Sequence, residues 1–233
     1  MILSNKNMLL DHVASIYNRL LHQLFLIAES TIRNISGALG RKLRAAYYSR
    51  RSISCGKNLL IDEGVIIQGI EHIKFGNNIW IDKYCVLMAG KIHISMNNVI
   101  LKQQELDVEE GIIQIGNNCH LGIGTIIQGH GGVKIGHCFT SSADSKIYSL
   151  SNNYHLSLNG TIGNNQNIHF IKTKIIIAEN VWVGLNSIIL CGSIGKNSFI
   201  APNALVVTSV PENSFMSGNP AKRIKDRFPD YGK

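Results

Sequence analysis

The sequence predicts an all-β fold of short stacked strands, a parallel β-helix wound in six-residue steps, set behind an α-helical segment. Three observations carry that expectation. The first is composition: 35 of the 233 residues are Ile, 23 are Asn and 22 are Gly. Ile favours strands, while Asn and Gly enter the left-handed region most readily, so the mixture describes many short strands joined by many tight turns. The second is an aliphatic residue at every sixth position, often followed by a small one, over four separated stretches. The third is a three-four spacing of apolar residues confined to the first forty positions, which is the period of a helix.

In chain order, the helical zone comes first. Leu10, Val13, Tyr17, Leu20, Leu24 and Ile27 form a stripe, widened by Leu9, Ile16 and Leu21 and extended by Ile32, Ile35 and Leu39, with Gly37 and Gly40 expected to end it. The stripe can pack on the rest of the protein or on copies of itself. It can also lie on lipid, helped by Arg41, Lys42, Arg44, Arg50 and Arg51. Those arginines follow the stripe and do not flank it, which favours packing.

Charge divides along the same boundary. Residues 1–51 carry +6, residues 52–220 carry −1 and residues 221–233 carry +3. No basic motif interleaved with aromatics accompanies the basic ends, so nucleic acid is not an expected partner, whereas phosphates or an anionic membrane surface are. No apolar run reaches the roughly 18 residues of a membrane span, and the first ten lack the features of a signal peptide. A cytoplasmic location is expected, with peripheral contact at the inner face of the membrane through the helix. Five scattered cysteines, an odd number without a C-x-x-C pair, suit small buried hydrophobes better than disulfides or a metal.

The six-residue register runs Phe75-Gly76, Ile81, Leu87; then Ile115-Gly116, Leu121-Gly122, Ile127; then Ile135-Gly136, Ser141, Ile147. It returns as Ile177, Val183-Gly184 and Ile189, slips by one at Ile194-Gly195, and continues at Ile200-Ala201 and Val206. Six residues make one flat side of a prism whose corner is a tight turn, and three sides make a coil of about eighteen. The aliphatic residue of each step points inward. Because no coil buries its interior alone, the ends need caps, which the helix and the C-terminal tail can supply.

The chain over roughly residues 55–225 resembles the hexapeptide-repeat acyltransferases. Its most specific stretch is Ile177 to Lys225, which ends in Gly218-Asn219-Pro220-Ala221-Lys222 and looks like the terminal coils of the sugar O-acetyltransferase branch. The resemblance implies a left-handed β-helix, a homotrimer, acetyl-CoA as the acyl donor held in a groove between subunits, and no metal. It also implies coenzyme contacts at Trp182, Gly184, Ala201, Ala204, Lys222 and Arg223, the last two beside phosphates. The expected division is a basic amphipathic helical segment at 1–51, the β-helix at 52–225 with an extended loop at 149–174, and a tail at 226–233.

Acyl transfer from a thioester needs a base, an oxyanion donor and a positioning groove. Histidine is the natural base. Of nine histidines, His12, His22, His72 and His93 suit surface or packing roles, and His120 and His137 occupy outward steps of the repeat. His169 lies in the same loop as His155, the first candidate, which follows the last regular step at Ile147-Tyr148. The resembled family places its base near there, although Asn152 and Asn153 occupy the positions closest to it. His130, in Gln128-Gly129-His130-Gly131-Gly132, is the second candidate, since flanking glycines allow close backbone approach. Asp144 is the nearest carboxylate, and Gly131 or Gly132 or another coil N–H is the expected oxyanion donor. The resulting expectation is O-acetylation of a sugar or glycan precursor. The alternatives are N-acetylation of an amino sugar and a non-catalytic scaffold.

Overall fold

The computed structural model describes residues 2–92, 99–153, 155–156, 168–190 and 192–230, with side chains from Ser15 onward except Asn18 and His22. His12, His22, His93, Tyr154, Cys191 and residues 157–167 of the loop lie outside the described positions or side chains.

The helical zone is two helices, α1 (Ile2–Asn34) and α2 (Gly37–Arg51). The break falls at Ile35-Ser36, ahead of the glycines expected to make it; Gly40 lies within α2, where the Ile35 carbonyl leaves no room for a Cβ. Carbonyls at a helix end lack intrahelical partners. Arg44, fully buried, collects those of α1: its Nη1 donates to the carbonyls of Ile32 (2.9 Å), Arg33 (3.2 Å) and Ile35 (2.7 Å), and its Nε to that of Ile61 (2.9 Å) in the first coil. Burial lowers the Arg44 pKa, against the opposing pull of Asp62 and Glu63. Tyr48 joins the core beside it and donates to Glu29 of α1 at 3.1 Å. The buried side of α2 thus covers the first coil.

From Ser54 to Gly218 the chain winds a left-handed, three-sided prism. Side A stacks Ser54–Cys55, Ile73–Phe75, Ile113–Ile115, Val133–Ile135, Ile175–Ile177 and Ser193–Ile194. Side B runs from Leu59–Ile61 through Ile79–Ile81, Cys119–Leu121, Thr140–Ser141, Trp182–Val183 and Phe199–Ile200 to Ser214–Gly218. Side C stacks Ile66–Gln68, Val86–Met88, Ile126–Gln128, Lys146–Tyr148, Ile188–Ile189 and Leu205–Val206. Neighbouring coils pair in parallel on every side. Ala221–Asp226 folds back antiparallel on Ser214–Gly218 and closes the far end.

Every member of the six-residue series from Phe75 to Val206 is at most 3% exposed, including the polar Ser141, whose hydroxyl meets Thr125 Oγ1 at 2.9 Å. The coils are not eighteen residues long. Early coils advance by twenty (Ser54 beside Lys74, Ile126 beside Lys146) and the last by seventeen (Trp182 beside Phe199). The discrepancy sits at one corner. Inward residues are six apart wherever the chain turns from A to B or from B to C, as in Phe75, Ile81, Leu87 and in Ile177, Val183, Ile189. From C to A the chain goes from Ile67 to Phe75, Leu87 to Ile115, Ile127 to Ile135, Ile147 to Ile177 and Ile189 to Ile194, never by six.

The regular A–B corner shows why asparagine and glycine are so abundant. A Cβ on Gly116 would lie 2.6 Å from the Gly136 carbonyl carbon, so stacking admits only glycine there. The next residue caps the coil before it: Asn77 Oδ1 accepts the Lys57 N–H (2.8 Å), and Asn117 Oδ1 the Asn77 N–H (2.7 Å). Asn58, Asn78 and Asn118 then turn with φ of 59°, 57° and 57°, their amides hydrogen-bonded in a column. Asparagine is among the few residues that adopt this conformation cheaply.

Candidate functional site

Two insertions leave the prism at the C–A corner. The later one was expected. The earlier, between Ala89 and Ile112, was not, and its strand Val99–Lys102 pairs in parallel with Phe170–Thr173 of the later insertion, which pairs antiparallel with Leu150–Asn152. Lys172 Nζ reaches Glu110 Oε1 at 2.6 Å and ties the two together. A single arm results, standing on one corner.

Between the roots of the insertions lies Gly129-His130-Gly131-Gly132. A Cβ on Gly131 would sit 2.5 Å from the carbonyl oxygens of both Ser149 and Thr173, so the backbone of the arm crosses directly against this turn. His130 is half-buried, with Nδ1 2.8 Å from the Gly90 carbonyl oxygen. A carbonyl only accepts, so Nδ1 carries the hydrogen and the Nε2 lone pair is left available. A ring fixed through Nδ1 presents Nε2 as the position at which a general base would act.

The glycines beside it do not supply the oxyanion donor expected of them. The Gly131 N–H donates to Ser149 Oγ (2.8 Å) and the Gly132 N–H to the Gly129 carbonyl (2.8 Å). Between the arm and side C opens a cleft of about 200 Å³ lined in part by Lys102, Tyr148, Ser149, Ser151, Thr173 and Leu190; it adjoins this turn through Ser149 and Thr173, and His130 is not part of its lining. A lining that mixes hydroxyls with apolar side chains suits a sugar.

His155 lies on the arm beyond Asn152 and is exposed, its N–H donating to Asn153 Oδ1 at 3.2 Å. Asp144 turns the B–C corner at φ 59° against Gly124, with no role there as an orienting carboxylate for His130. His137 takes the place of Asn77 and Asn117 in the A–B column: its Nδ1 accepts the Asn117 N–H at 2.8 Å. His120 projects from side B, where its Nε2 donates to Asp82 Oδ2 (3.0 Å) and its ring stacks on Trp80 at 4.8 Å. Trp80 in turn donates to Asp62 Oδ2 (3.1 Å). The carboxylate-oriented histidine sought in the sequence thus exists at His120. Its partner is 38 positions away because the first insertion separates adjacent coils, and the twenty-residue spacing of Asp62 and Asp82 was the available signal.

The residues expected at the coenzyme lie in the upper coils, toward the B–C corner. Trp182 is 45% exposed on side B, edge-on to Phe199 (5.8 Å), with Nε1 donating to Ser142 Oγ (3.0 Å). Gly184 and Ala201 stack at the corner itself, and a Cβ on Gly184 would lie 2.7 Å from the Ile200 oxygen. Ala204 is 1% exposed and completes the buried column of Val65, Cys85, Thr125, Ser145 and Ser187. Lys222 and Arg223 are exposed on the terminal hairpin, Arg223 paired with Asp226. Among the described residues no group of three or more His, Cys, Asp or Glu could hold a metal ion, and no helix is long and apolar enough to cross a membrane.

No family model matches the chain. Among curated proteins it is 31% identical over 181 residues to the dTDP-4-amino-4,6-dideoxy-D-glucose acyltransferase of Escherichia coli, covering 75% of this chain and 82% of that one. It is 34% identical over 126 residues to the bifunctional protein GlmU of Bartonella bacilliformis, a match that spans 48% of this chain and only 27% of that relative. Among solved structures, AntD, an N-acyltransferase from Bacillus cereus in complex with dTDP and 3-hydroxybutyryl-CoA, superposes with a TM-score of 0.66 at 22% identity, over 84% of this chain and 91% of that one. That likeness is one of fold.

Proposed function

Because the chain belongs to the hexapeptide-repeat acyltransferases, we propose that it transfers an acyl group from a coenzyme A thioester to the amino group of a sugar, with His130 as general base. One observation carries the reading: at the corner from which both insertions leave, His130 is held by the Gly90 carbonyl with Nε2 free to take a proton. The similarity to an amino-sugar acyltransferase across most of both chains favours nitrogen over the hydroxyl acceptor that the terminal coils suggest.

The amine attacks the thioester carbonyl, Nε2 of His130 takes the proton it sheds, the C–S bond breaks, and the proton passes to the departing thiolate. The acceptor sugar occupies the cleft beneath the arm. The coenzyme follows the upper coils past Trp182, Gly184 and Ala201, with its phosphates beside Lys222 and Arg223. Copies assemble as a homotrimer with this groove between them. The outward Ile66, Val86, Ile126, Ile188 and Leu205 of side C, interrupted by Lys146 between Ile126 and Ile188, supply a largely apolar column for that contact.

The test is incubation with acetyl-CoA and dTDP-4-amino-4,6-dideoxyglucose, reading thiol release and product mass. An alkali-stable amide is expected; an alkali-labile ester would return the acceptor to a hydroxyl. His130→Ala should lower kcat by about 10²–10⁴-fold with coenzyme binding near that of the parent, and His155→Ala should stay close to the parent. The reverse pattern moves the base to the arm. Failure to bind acetyl-CoA in calorimetry would leave the scaffold reading.

A further inference from the structure

We propose that α1 is one strand of a parallel coiled coil formed with the α1 helices of other copies of this chain. Leu10, Val13, Tyr17, Leu20, Leu24 and Ile27 alternate by three and four without a break, which is the seam of a heptad repeat. The structure turns the described part of that seam, from Tyr17 onward, outward. Tyr17, Leu20, Leu24 and Ile27 are 60–63% exposed, against 38–48% for the neighbouring Ile16, Leu21, Phe25 and Leu26.

The helix meets the rest of the chain on a different side. Arg51 lies over the Phe25 ring at 5.6 Å, Glu29 accepts from Tyr48, and Arg44 gathers the carbonyls at the C-terminal end. The seam is therefore not what holds α1 to the prism. Its next two members are Thr31 and Asn34, so the apolar strip stops where the helix meets Arg44.

A second copy fits this strip better than lipid does. Helices that lie on membranes carry Lys and Arg beside the apolar stripe, but from Asn7 to Ile27 the only charged residues are Asp11 and Arg19. The cations of α2 lie beyond the stripe and not along its flanks: Arg44 is buried, Arg41 pairs with Asp62, Arg51 covers Phe25 and Tyr47, and only Lys42 and Arg50 are left exposed without an acidic or aromatic partner among the described residues. Apolar residues also widen the seam at Leu9, Ile16 and Leu21, the width of a bundle with more than two helices. Copies related by a rotation axis running along the helix are parallel, so each residue meets its own counterpart.

Disulfide mapping on the full chain tests this without reading acyl transfer. Leu20→Cys, on the seam, and Ser15→Cys, on the opposite side of the heptad, both replace exposed residues and are oxidised alongside the parent to subtract its native cysteines. Copy-to-copy cross-linking at least tenfold faster for Leu20→Cys than for Ser15→Cys is expected. Equal rates, or no cross-link at position 20, would overturn the proposal. Flotation with vesicles of anionic phosphatidylglycerol supplies the second arm. Binding lost in Leu20→Glu/Leu24→Glu would assign the seam to lipid and also overturn it, while no binding by the parent supports it.

Discussion

The A–B and C–A corners of the prism turn the same chain by the same angle with opposite economies. At A–B the step from Phe75 to Ile81 recurs unchanged from Ile115 to Leu121 and from Ile135 to Ser141, and each coil is locked to the next by glycine, a capping side chain and a left-handed turn. At C–A the step is eight, then 28, then eight, then thirty, then five. Because every residue at a regular corner touches the equivalent residue one coil away, nothing can be added without breaking the column. The irregular corner has no column to break. It is therefore where the arm, the cleft and His130 are found, and even a histidine becomes structural when it falls at A–B, as His137 does.

Breaking the comparison outright has the largest expected effect. Inserting Gly-Ser after His137 interrupts the A–B column and should abolish the cooperative melting transition followed by circular dichroism. The same insertion after Asp107, a fully exposed side chain in the first insertion, should shift the midpoint by only a few degrees. Equal tolerance at both places would mean that the two corners do not differ in kind.

A smaller effect sharpens the account of the regular corner. Asn118→Ala removes the acceptor of the Asn78 amide and forces alanine into φ 57°, which should cost about 1–3 kcal/mol in denaturant unfolding. His137→Asn restores the column's usual residue and should change stability by less than about 0.5 kcal/mol. A large loss there would show that His137 does more than cap Asn117.

The smallest effect is a pH dependence at the other regular corner. Burial pushes the Cys85 thiol from 9.0 up to about 12. The folded state therefore favours the protonated thiol, a stabilisation fully present below pH 9 and lost as pH rises toward 12. Melting temperature should fall between pH 8.5 and 10.5 more steeply for the parent than for Cys85→Ser; superimposable curves would place the loss elsewhere.

Much of the prism was legible because its physics is local and repeated. An Ile every sixth position, with Gly or Asn after it, describes a side and a corner regardless of what lies on the next coil. Leu59 to Ile73 escaped because apolar residues there stand on both the inward and outward phases, as at Ile66-Ile67. The first insertion escaped because Val99–Lys102 has no periodic signature and finds its partner at Phe170–Thr173, some seventy residues on. His155 drew attention as a histidine in a loop, yet what distinguishes His130 is a carbonyl forty positions away.

The sequence alone determined the six-residue winding, the helical segment and the acyltransferase resemblance, since each is written in spacings of a few residues. Only the tertiary structure decided that both insertions rise from one corner, that Arg44 closes α1 onto the first coil, and that the Gly90 carbonyl holds the His130 ring. Those facts depend on which coil lies beside which, and an insertion changes that spacing from twenty residues to forty without leaving any local mark.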